Sequence, residues 1–235
     1  MAFFVVREID RADPAVMAGL RDAGVATVHE AAGRSGLLAP QIRPIQAGTR
    51  IAGPAITVSS HPGDNLMVHA AVELVTPGDV LVVTTTSPST DAMVGDLIAT
   101  SLAYRGCAGL IMDAGVRDAA DLREMGFPVW TRAVHAQGAL KSAPGSVNRT
   151  VCCAGQIVKP GDVVVADDDG VCVVDRASAG SVLRACEARI EREAVTREVL
   201  KTGTLGLDHN NLRPVLERLG VQYVQREEDI PGDSR

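Results

Sequence analysis

The chain has 235 residues, 46% of them hydrophobic and 22% charged, which is ordinary for a globular protein with a sizeable core. Its formal net charge of −6 leaves no basic face for nucleic acid or an anionic membrane, so neither partner is expected. No apolar run reaches the roughly 18 residues of a membrane span, and the N-terminus lacks the basic segment of a signal peptide, so neither is expected.

The first 134 residues alternate between helical and strand patterns, which is typical of βαβ units with a partly parallel sheet. Apolar positions, Gly and Pro delimit each element. The predicted helices cover 13–24, 25–33, 64–75, 96–105 and 119–126, and the predicted strands lie within 42–60, 77–86, 107–113 and 127–134.

The pattern changes after residue 145. Residues 146–175 read strand, turn, strand, turn, strand, the pattern of an antiparallel meander. PGDVLVV (77–83) and PGDVVVA (160–166) are near repeats, which we interpret as turns that lead into buried strands. Charged helices are predicted over 178–202 and 211–219, and the final EEDIPGDSR is expected to be frayed. We therefore predict an α/β core over 1–177 and a helical extension over 178–235 that contacts a neighbouring subunit.

Five cysteines lie in apolar, strand-like runs, and no Cys-x-x-Cys pair is present. An odd number in such surroundings is typical of reduced, buried thiols in a cytoplasmic protein, and we expect that state and that location. They are Cys107, Cys152, Cys153, Cys172 and Cys186.

The stretch GDLIATSLAYRGCAGLIMDAGVRDAAD, residues 95–121, has an apolar middle and charged ends. The turn at Arg105–Gly106 lets the strand run back antiparallel to the helix before it. Arg117 and Asp118, just past the strand, then return to the helix N-terminus and Asp96. This end of a strand is where open α/β sheets bind ligands, so the spacing predicts one site from both ends.

The groups at this corner suit a small anion. The amides of Leu97 and Ile98, in the first turn of the helix, can hold a carboxylate with help from the helix dipole. The planar guanidinium of Arg117 suits a carboxylate or a keto oxygen that becomes an oxyanion.

The carboxylates suit a divalent cation. Asp118 can ligate Mg²⁺, which takes one or two carboxylates and leaves its other positions to water and substrate. Asp96 and Asp121 can orient waters on such an ion without touching it. An Arg–Asp pair after a strand is equally typical of a salt bridge or a helix cap, and this alternative stays open.

Two further residues, Asn65 and His69, begin a helix that could line the same cleft. Asn65 is a candidate substrate contact, whereas a packed or surface position is favoured for His69. The three lysines, Lys141, Lys159 and Lys201, lie in a polar loop, a turn and a helix end. None of these settings depresses a lysine pKa, so a Schiff-base mechanism is disfavoured.

The motif resembles that of the 4-hydroxy-4-methyl-2-oxoglutarate/4-carboxy-4-hydroxy-2-oxoadipate aldolases, which share a fold with the regulators of ribonuclease E activity. About twenty residues separate Gly95 from RDAAD (117–121), as in that family. The resemblance extends through GDNLMVHAAVELVTPGDVLVV, KPGDVVVADDDGV and TGTLGLDHNNLR. It implies an α/β fold of the αββα-sandwich, swivelling β/α-like type, with mixed parallel and antiparallel strands and a C-terminal helical extension.

The resemblance also implies roles for single residues. Asp118 would ligate Mg²⁺ or Mn²⁺, Arg117 and the segment from Gly95 to Ile98 would bind pyruvate, and Asp96 would position a water. A glutamate from the C-terminal helix of an adjacent subunit would complete the site. The resemblance assigns this role to Glu193, with Glu191 as the alternative. It also implies that the subunits form a homotrimer or homohexamer.

The implied reaction is metal-dependent (class II) retro-aldol cleavage of a hydroxy-keto diacid to pyruvate plus pyruvate or oxaloacetate, in aromatic-compound degradation. Oxaloacetate decarboxylation is the implied side activity. The choice between the two diacids and between the two metals stays open. A protein-binding regulator of the ribonuclease E type and a dedicated oxaloacetate decarboxylase are the alternatives.

Overall fold

The computed structural model describes residues 2–227 and 230, and the chain divides into two compact units, Met1–Arg189 and Ile190–Arg235. Most of the stretch EEDIPGDSR, for which fraying is predicted, lies outside the described residues. The division falls within α6. The helices of the described residues are α1 (Pro14–Ala23), α2 (Val25–Ala31), α3 (Leu66–Val72), α4 (Asp96–Tyr104), α5 (Ala119–Glu124), α6 (Ala179–Lys201), α7 (Gly206–His209) and α8 (Arg213–Arg218).

The predicted mixture of parallel and antiparallel strands is confirmed. One sheet has the order β1-β6-β5-β3-β2-β10-β11, with β4 beside β5 and β7 beside β2, and β8 and β9 form a separate hairpin. The strands are β1 (Arg43–Pro44), β2 (Ile51–Ser60), β3 (Val80–Thr85), β4 (Ala92–Val94), β5 (Gly109–Val116), β6 (Val129–Val134), β7 (Ser146–Val147), β8 (Val151–Cys153), β9 (Gln156–Val158), β10 (Val163–Asp167) and β11 (Gly170–Val174).

Strand residues are buried on both faces because the sheet curves around an inner core between its own strands and helices cover its outer face. In β10, Val163 and Val165 pack with α1, α2 and the start of α6, whereas Val164 and Ala166 face an inner core between strands. On the other side, α3, α4 and α5 cover β2, β3 and β5. This arrangement is the predicted αββα sandwich, and it explains why the strands are nearly continuous runs of apolar residues.

The two Pro-Gly-Asp repeats form the same turn, as predicted. Asp79 accepts a hydrogen bond from the N–H of Thr76 at 2.8 Å, and Asp162 accepts one from the N–H of Lys159 at 2.9 Å. Both aspartates are buried, and each turn leads directly into a buried strand. The repetition is therefore structural.

The predicted meander is divided in the structure. Strand β9 does not continue into a pairing with β10, which instead pairs antiparallel with β2 and β11. The cause lies at Gly161, whose φ of +83° turns the chain and whose N–H donates to Ala55 O at 2.9 Å. That bond attaches the start of β10 to β2. Two short elements, β4 and α7, have no counterpart in the sequence-based assignment.

All five cysteines are free thiols, and four of them are buried. The expectation of burial is wrong for Cys152, which points outward from the β8–β9 hairpin. Burial raises the pKa of the Cys107 thiol to about 11 and that of Cys172 to about 12. These thiols are therefore inert rather than nucleophilic.

Strands β2, β3, β5 and β6 are parallel, and β4 is parallel to β5, so their carboxyl ends meet at one edge of the sheet. The segments that follow β4 and β5 carry Asp96, Arg117 and Asp118. The fold thus brings the charged ends of the 95–121 stretch to the edge where α/β sheets bind ligands. Within residues 2–227, every helix is too short or too polar to span a bilayer.

Candidate functional site

A cleft of about 130 Å³ opens at the N-terminus of α4, and we call it the α4 cleft. It lies wholly within the unit Met1–Arg189. Six residues predicted from the sequence line it together: Asn65, Gly95, Asp96, Leu97, Ile98 and Arg117.

The charged ends meet through the backbone of α4. The N–H of Asp96 donates to Asp118 Oδ2 at 3.3 Å, and Arg117 Nε lies 3.3 Å from the same oxygen. The N–H of Arg117 donates to Val94 O at 3.0 Å, which attaches the end of β5 to β4. Asp118 has a φ of +56°, a left-handed conformation that turns its side chain back toward α4 as the chain enters α5.

Gly95 makes this approach possible. A Cβ built there would lie 2.2 Å from Asp118 Oδ2 and 3.1 Å from Arg117 Nε. The backbone of Gly95 is extended, with a φ of −133°, so any residue could adopt it. The position therefore requires glycine for space rather than for conformation.

Asp118 does not line the α4 cleft itself. It lines a second cleft of about 310 Å³ with Val134, His135 and Ala136, and we call this space the His135 cleft. Arg117 lines both clefts. The Asp118 carboxylate is therefore next to the α4 cleft, bonded to the N–H of Asp96, without lining it.

The structure does not bring every predicted residue into the α4 cleft. Asp121 lies three residues after Asp118, in the first turn of α5. Its side chain is exposed and does not line the cleft. Glu191 and Glu193 lie on α6 within the unit Ile190–Arg235. Their predicted place in a neighbouring copy's site stays a prediction.

Asn65 carries an unsatisfied acceptor in the cleft wall. Its side chain is 6% exposed, and Nδ2 donates to Met93 O at 2.8 Å. Oδ1 is buried and has no hydrogen-bond partner among the described residues. Because a buried acceptor without a donor is costly, this oxygen is suited to a donor from a ligand or a water.

Two basic residues that line the cleft were not predicted as site residues. Lys141 lines the cleft although the sequence indicates only a polar loop, and His69 lines it beside Asn65. The i,i+4 spacing of Asn65 and His69 is a signal that both face the same way on α3. Lys141 has no such signal, because its position depends on a long-range contact.

The three basic residues of the cleft, His69, Arg117 and Lys141, do not contribute equally to its positive charge. Burial lowers the pKa of the His69 imidazole, and the nearby charge of Lys141 lowers this pKa further. Both effects favour the neutral imidazole. Arg117 and Lys141 are the cationic groups of the cleft.

The donor set fits a hard divalent cation with few protein ligands. Within residues 2–227, no three His, Cys, Asp or Glu side chains lie together as a metal cage. Mg²⁺ is commonly held by one or two carboxylates and otherwise by water and substrate. Asp118 is a single, partly exposed carboxylate that packs where Gly95 has no Cβ, and it matches that need.

We predict that Gly95→Ala lowers the free energy of unfolding by about 1–3 kcal/mol, because the new Cβ collides with the Asp118 carboxylate. Urea denaturation measures the change. Gly180→Ala is the matched control, since the nearest atom to a Cβ there is Arg184 Nη1 at 3.8 Å in a helix. We expect that variant to be neutral or more stable by up to about 1 kcal/mol. A Gly95→Ala protein of wild-type stability contradicts the packing argument.

We predict that His69 titrates below the ordinary pKa of histidine in an NMR pH titration, because it is partly desolvated and faces Lys141. Lys141→Gln removes the charge and is expected to raise this pKa. Lys201→Gln, in the other unit, should leave it unchanged. A midpoint at or above that of free histidine, or the same midpoint in Lys141→Gln, contradicts this electrostatic assignment.

The chain is similar to a described family and to named proteins. Residues 17–173 match the RraA-like family model, described as aldolase/RraA. A Halalkalibacterium halodurans protein named "Putative 4-hydroxy-4-methyl-2-oxoglutarate aldolase" is 32% identical over 163 residues, 69% of this chain and 78% of that protein. A protein of the same name from Burkholderia multivorans is 38% identical over 143 residues, 61% of this chain and 87% of that protein.

A solved structure shares the fold. Streptomyces coelicolor RraAS2, described as an unusual member of the RNase ES inhibitor RraA protein family, has a TM-score of 0.74 and 29% identity. The similarity covers 81% of this chain and 99% of that one. Since the family model matches more than half of the chain, the resemblance seen in the sequence is confirmed, and this protein belongs to the aldolase/RraA family.

Proposed function

We propose that this protein is a divalent-metal-dependent aldolase that cleaves branched 4-hydroxy-2-oxo acids with two or three carboxylates. Its substrates would be 4-hydroxy-4-methyl-2-oxoglutarate, which yields two molecules of pyruvate, and 4-carboxy-4-hydroxy-2-oxoadipate, which yields pyruvate and oxaloacetate. The observation that carries the proposal is the packing of Asp118 and Arg117 against the start of α4. The names of the similar proteins from Halalkalibacterium and Burkholderia support it.

The 2-keto acid half of the substrate would bind at the N-terminus of α4. The first N–H groups of a helix have no partner within the helix, so those of Leu97 and Ile98 are suited to a carboxylate. Arg117 lines the same cleft and would donate to the keto oxygen. These donors favour the enolate over the ketone, because its oxygen carries more negative charge.

Asp118 would hold the divalent ion, Mg²⁺ or Mn²⁺, with Asp96 and Asp121 orienting the waters around it. When bound, the ion supplies Lewis-acid polarisation of the keto group, which is worth several kcal/mol. Arg117 would have to leave its ion pair with Asp118 to allow this. The pair joins side chains that are 47% and 30% exposed, so its loss costs little.

Cleavage requires a base and an acid. A water positioned by Asp96 would take the proton of the C4 hydroxyl, with Glu193 of an adjacent subunit as the second carboxylate. The C3–C4 bond then breaks, its electrons move onto the keto oxygen beside Arg117, and water protonates C3 to give pyruvate. The same stabilised enolate would form on loss of CO₂ from oxaloacetate, which accounts for decarboxylation as a side activity.

The α4 cleft holds a second cation that suits the second carboxylate of a diacid. Lys141 lines the cleft, and the orphan oxygen of Asn65 would accept a hydrogen bond from the C4 hydroxyl. A diacid would thus meet two cations, Arg117 and Lys141. This arrangement favours diacids over simple hydroxy-keto acids.

The proposed cellular form is a homotrimer or homohexamer in the cytoplasm that acts on small molecules in aromatic-compound degradation. Five free thiols are compatible with a reducing compartment. A net charge of −6 disfavours nucleic acid or membrane as a partner.

A protein-binding regulator is the second candidate, and the similarity to RraAS2 over 99% of that chain favours it. A dedicated oxaloacetate decarboxylase is an enzymatic variant of the first. A coupled assay for pyruvate release, with and without EDTA, separates regulator from enzyme. The ratio of kcat/KM for oxaloacetate to that for the hydroxy-keto diacids separates the two enzymes.

We predict that Asp118→Asn weakens Mg²⁺ binding by about tenfold or more and lowers kcat by about a hundredfold. The amide keeps the shape of the side chain but loses its charge. Calorimetry with Mg²⁺ and the pyruvate assay measure the two effects. Asp169→Asn, in the exposed β10–β11 turn, is the matched control and should behave as wild type. Unchanged Mg²⁺ affinity in Asp118→Asn removes Asp118 as the ligand.

We predict that Glu193→Gln lowers kcat by about tenfold or more with little effect on Mg²⁺ affinity, because it acts on a proton and not on the metal. Glu191→Gln is the matched variant. Mixed oligomers of Glu193→Gln and Asp118→Asn subunits should regain activity if the glutamate comes from a neighbouring subunit. If Glu193→Gln is fully active and Glu191→Gln is impaired, the role belongs to Glu191.

A further inference from the structure

Residues 137–143 form an irregular segment along one wall of the α4 cleft, and we call it the 137–143 segment. It carries Ala139 and Lys141, which line the cleft. One end is attached near β4, where the N–H of Ala92 donates to Gln137 O at 2.8 Å. The other end is attached to the residues that precede α3.

The attachment to α3 depends on Asp64. This residue is 3% exposed, and both of its carboxylate oxygens are engaged. Oδ1 accepts the N–H of Leu66 at 3.0 Å. Oδ2 accepts the N–H of Ser142 at 2.6 Å, the N–H of Ala143 at 2.9 Å and the hydroxyl of Ser142 at 3.2 Å.

These bonds hold the backbone on both sides of Lys141. Leu140 O accepts the N–H of Asn65 at 2.9 Å, and the N–H of Leu140 donates to Gly63 O at 2.8 Å. The peptide before Lys141 is therefore held by Leu140 O, and the peptide after it by the Ser142 N–H bonded to Asp64. With both peptide planes held, the φ and ψ of Lys141 are determined.

Asp64 is held as a carboxylate. Burial acts to raise its pKa, but hydrogen bonds from Leu66, Ser142 and Ala143 outweigh burial and keep the pKa below the ordinary value. All of its partners are donors. An asparagine at position 64 would keep only one acceptor oxygen. In either rotamer of its amide, the NH₂ group would face a backbone N–H, and that N–H would lose its hydrogen bond.

We infer that Asp64 is a positioning residue that acts through Lys141, because it fixes the 137–143 segment so that the lysine lines the α4 cleft together with Arg117. The inference rests on the proposed function, in which Lys141 binds the second carboxylate of a diacid. Asp64 touches neither the substrate nor the metal. It determines the selectivity for diacids by holding the backbone from which the lysine extends.

Asp64→Asn is the first test. We expect KM for 4-hydroxy-4-methyl-2-oxoglutarate to rise about tenfold or more, with kcat changed less than about twofold, since a ligand contact rather than the chemistry is lost. Exchange of the pyruvate C3 protons in D₂O probes the keto-acid half alone and should stay near wild type. Asp162→Asn, another buried aspartate that accepts backbone N–H bonds, is the matched control.

A double-mutant cycle separates positioning from general destabilisation. If Asp64 acts through Lys141, then Lys141→Ala raises KM by a similar factor, and Asp64→Asn adds nothing in that background. Full additivity in the cycle overturns the inference. An equal fall in kcat and proton exchange with KM unchanged overturns it too.

Hydrogen exchange of the amides keeps this test independent of the proposed activity. Faster exchange at Ser142 and Ala143 in Asp64→Asn, but not in Asp162→Asn, is expected; unchanged protection overturns the role of Asp64. If Asp64→Asn does not fold, Ser142→Gly loosens the segment and should raise KM about threefold. An unchanged KM in Ser142→Gly then overturns the inference. Wild-type protein without cleavage or proton exchange refutes the proposed function alone.

Discussion

The candidate site depends on one close contact, that of the Asp118 carboxylate with the backbone at Gly95. A Cβ at residue 95 would lie 2.2 Å from Asp118 Oδ2, so the contact exists only because residue 95 has no side chain. It joins the end of β5 to the start of α4, and it draws Arg117 into the same corner through an Nε–Oδ2 distance of 3.3 Å. Sheet pairing alone brings the two segments to one edge, but it does not bring the carboxylate into contact with the helix N-terminus.

The ion pair between Arg117 and Asp118 is weak enough to be exchanged for other partners. Both side chains are partly exposed, so the pair contributes at most about 1 kcal/mol. A divalent ion that takes over the carboxylate would release the guanidinium toward the α4 cleft, where it would meet the keto acid. Binding of the metal and binding of the substrate would then favour one another. The metal would take the Asp118 carboxylate and so free Arg117 for the substrate, and the substrate would take Arg117 and so free Asp118 for the metal.

Lys141 is held in the cleft in a different way from Arg117. Arg117 follows a buried strand, whereas Lys141 lies on a segment without regular structure. Loops hold functional side chains accurately only where their backbone is tied to a rigid element. Asp64 provides that tie with a single buried carboxylate, which collects donors from both the start of α3 and the 137–143 segment.

The sequence by itself determined the α/β alternation, the two Pro-Gly-Asp turns and the return of Arg117 and Asp118 to Asp96, because each follows from local periodicity or from the length of one helix and one strand. Only the tertiary structure decided that β10 pairs with β2, that Asp118 lines the His135 cleft and not the α4 cleft, that Lys141 lines the α4 cleft, and that the side-chain oxygen of Asn65 has no partner there among the described residues. Those features arise from contacts between residues far apart in the chain, such as the 78 positions that separate Asp64 from Ser142. Local sequence patterns do not predict such long-range contacts, because the same turn or loop residues are compatible with many partners.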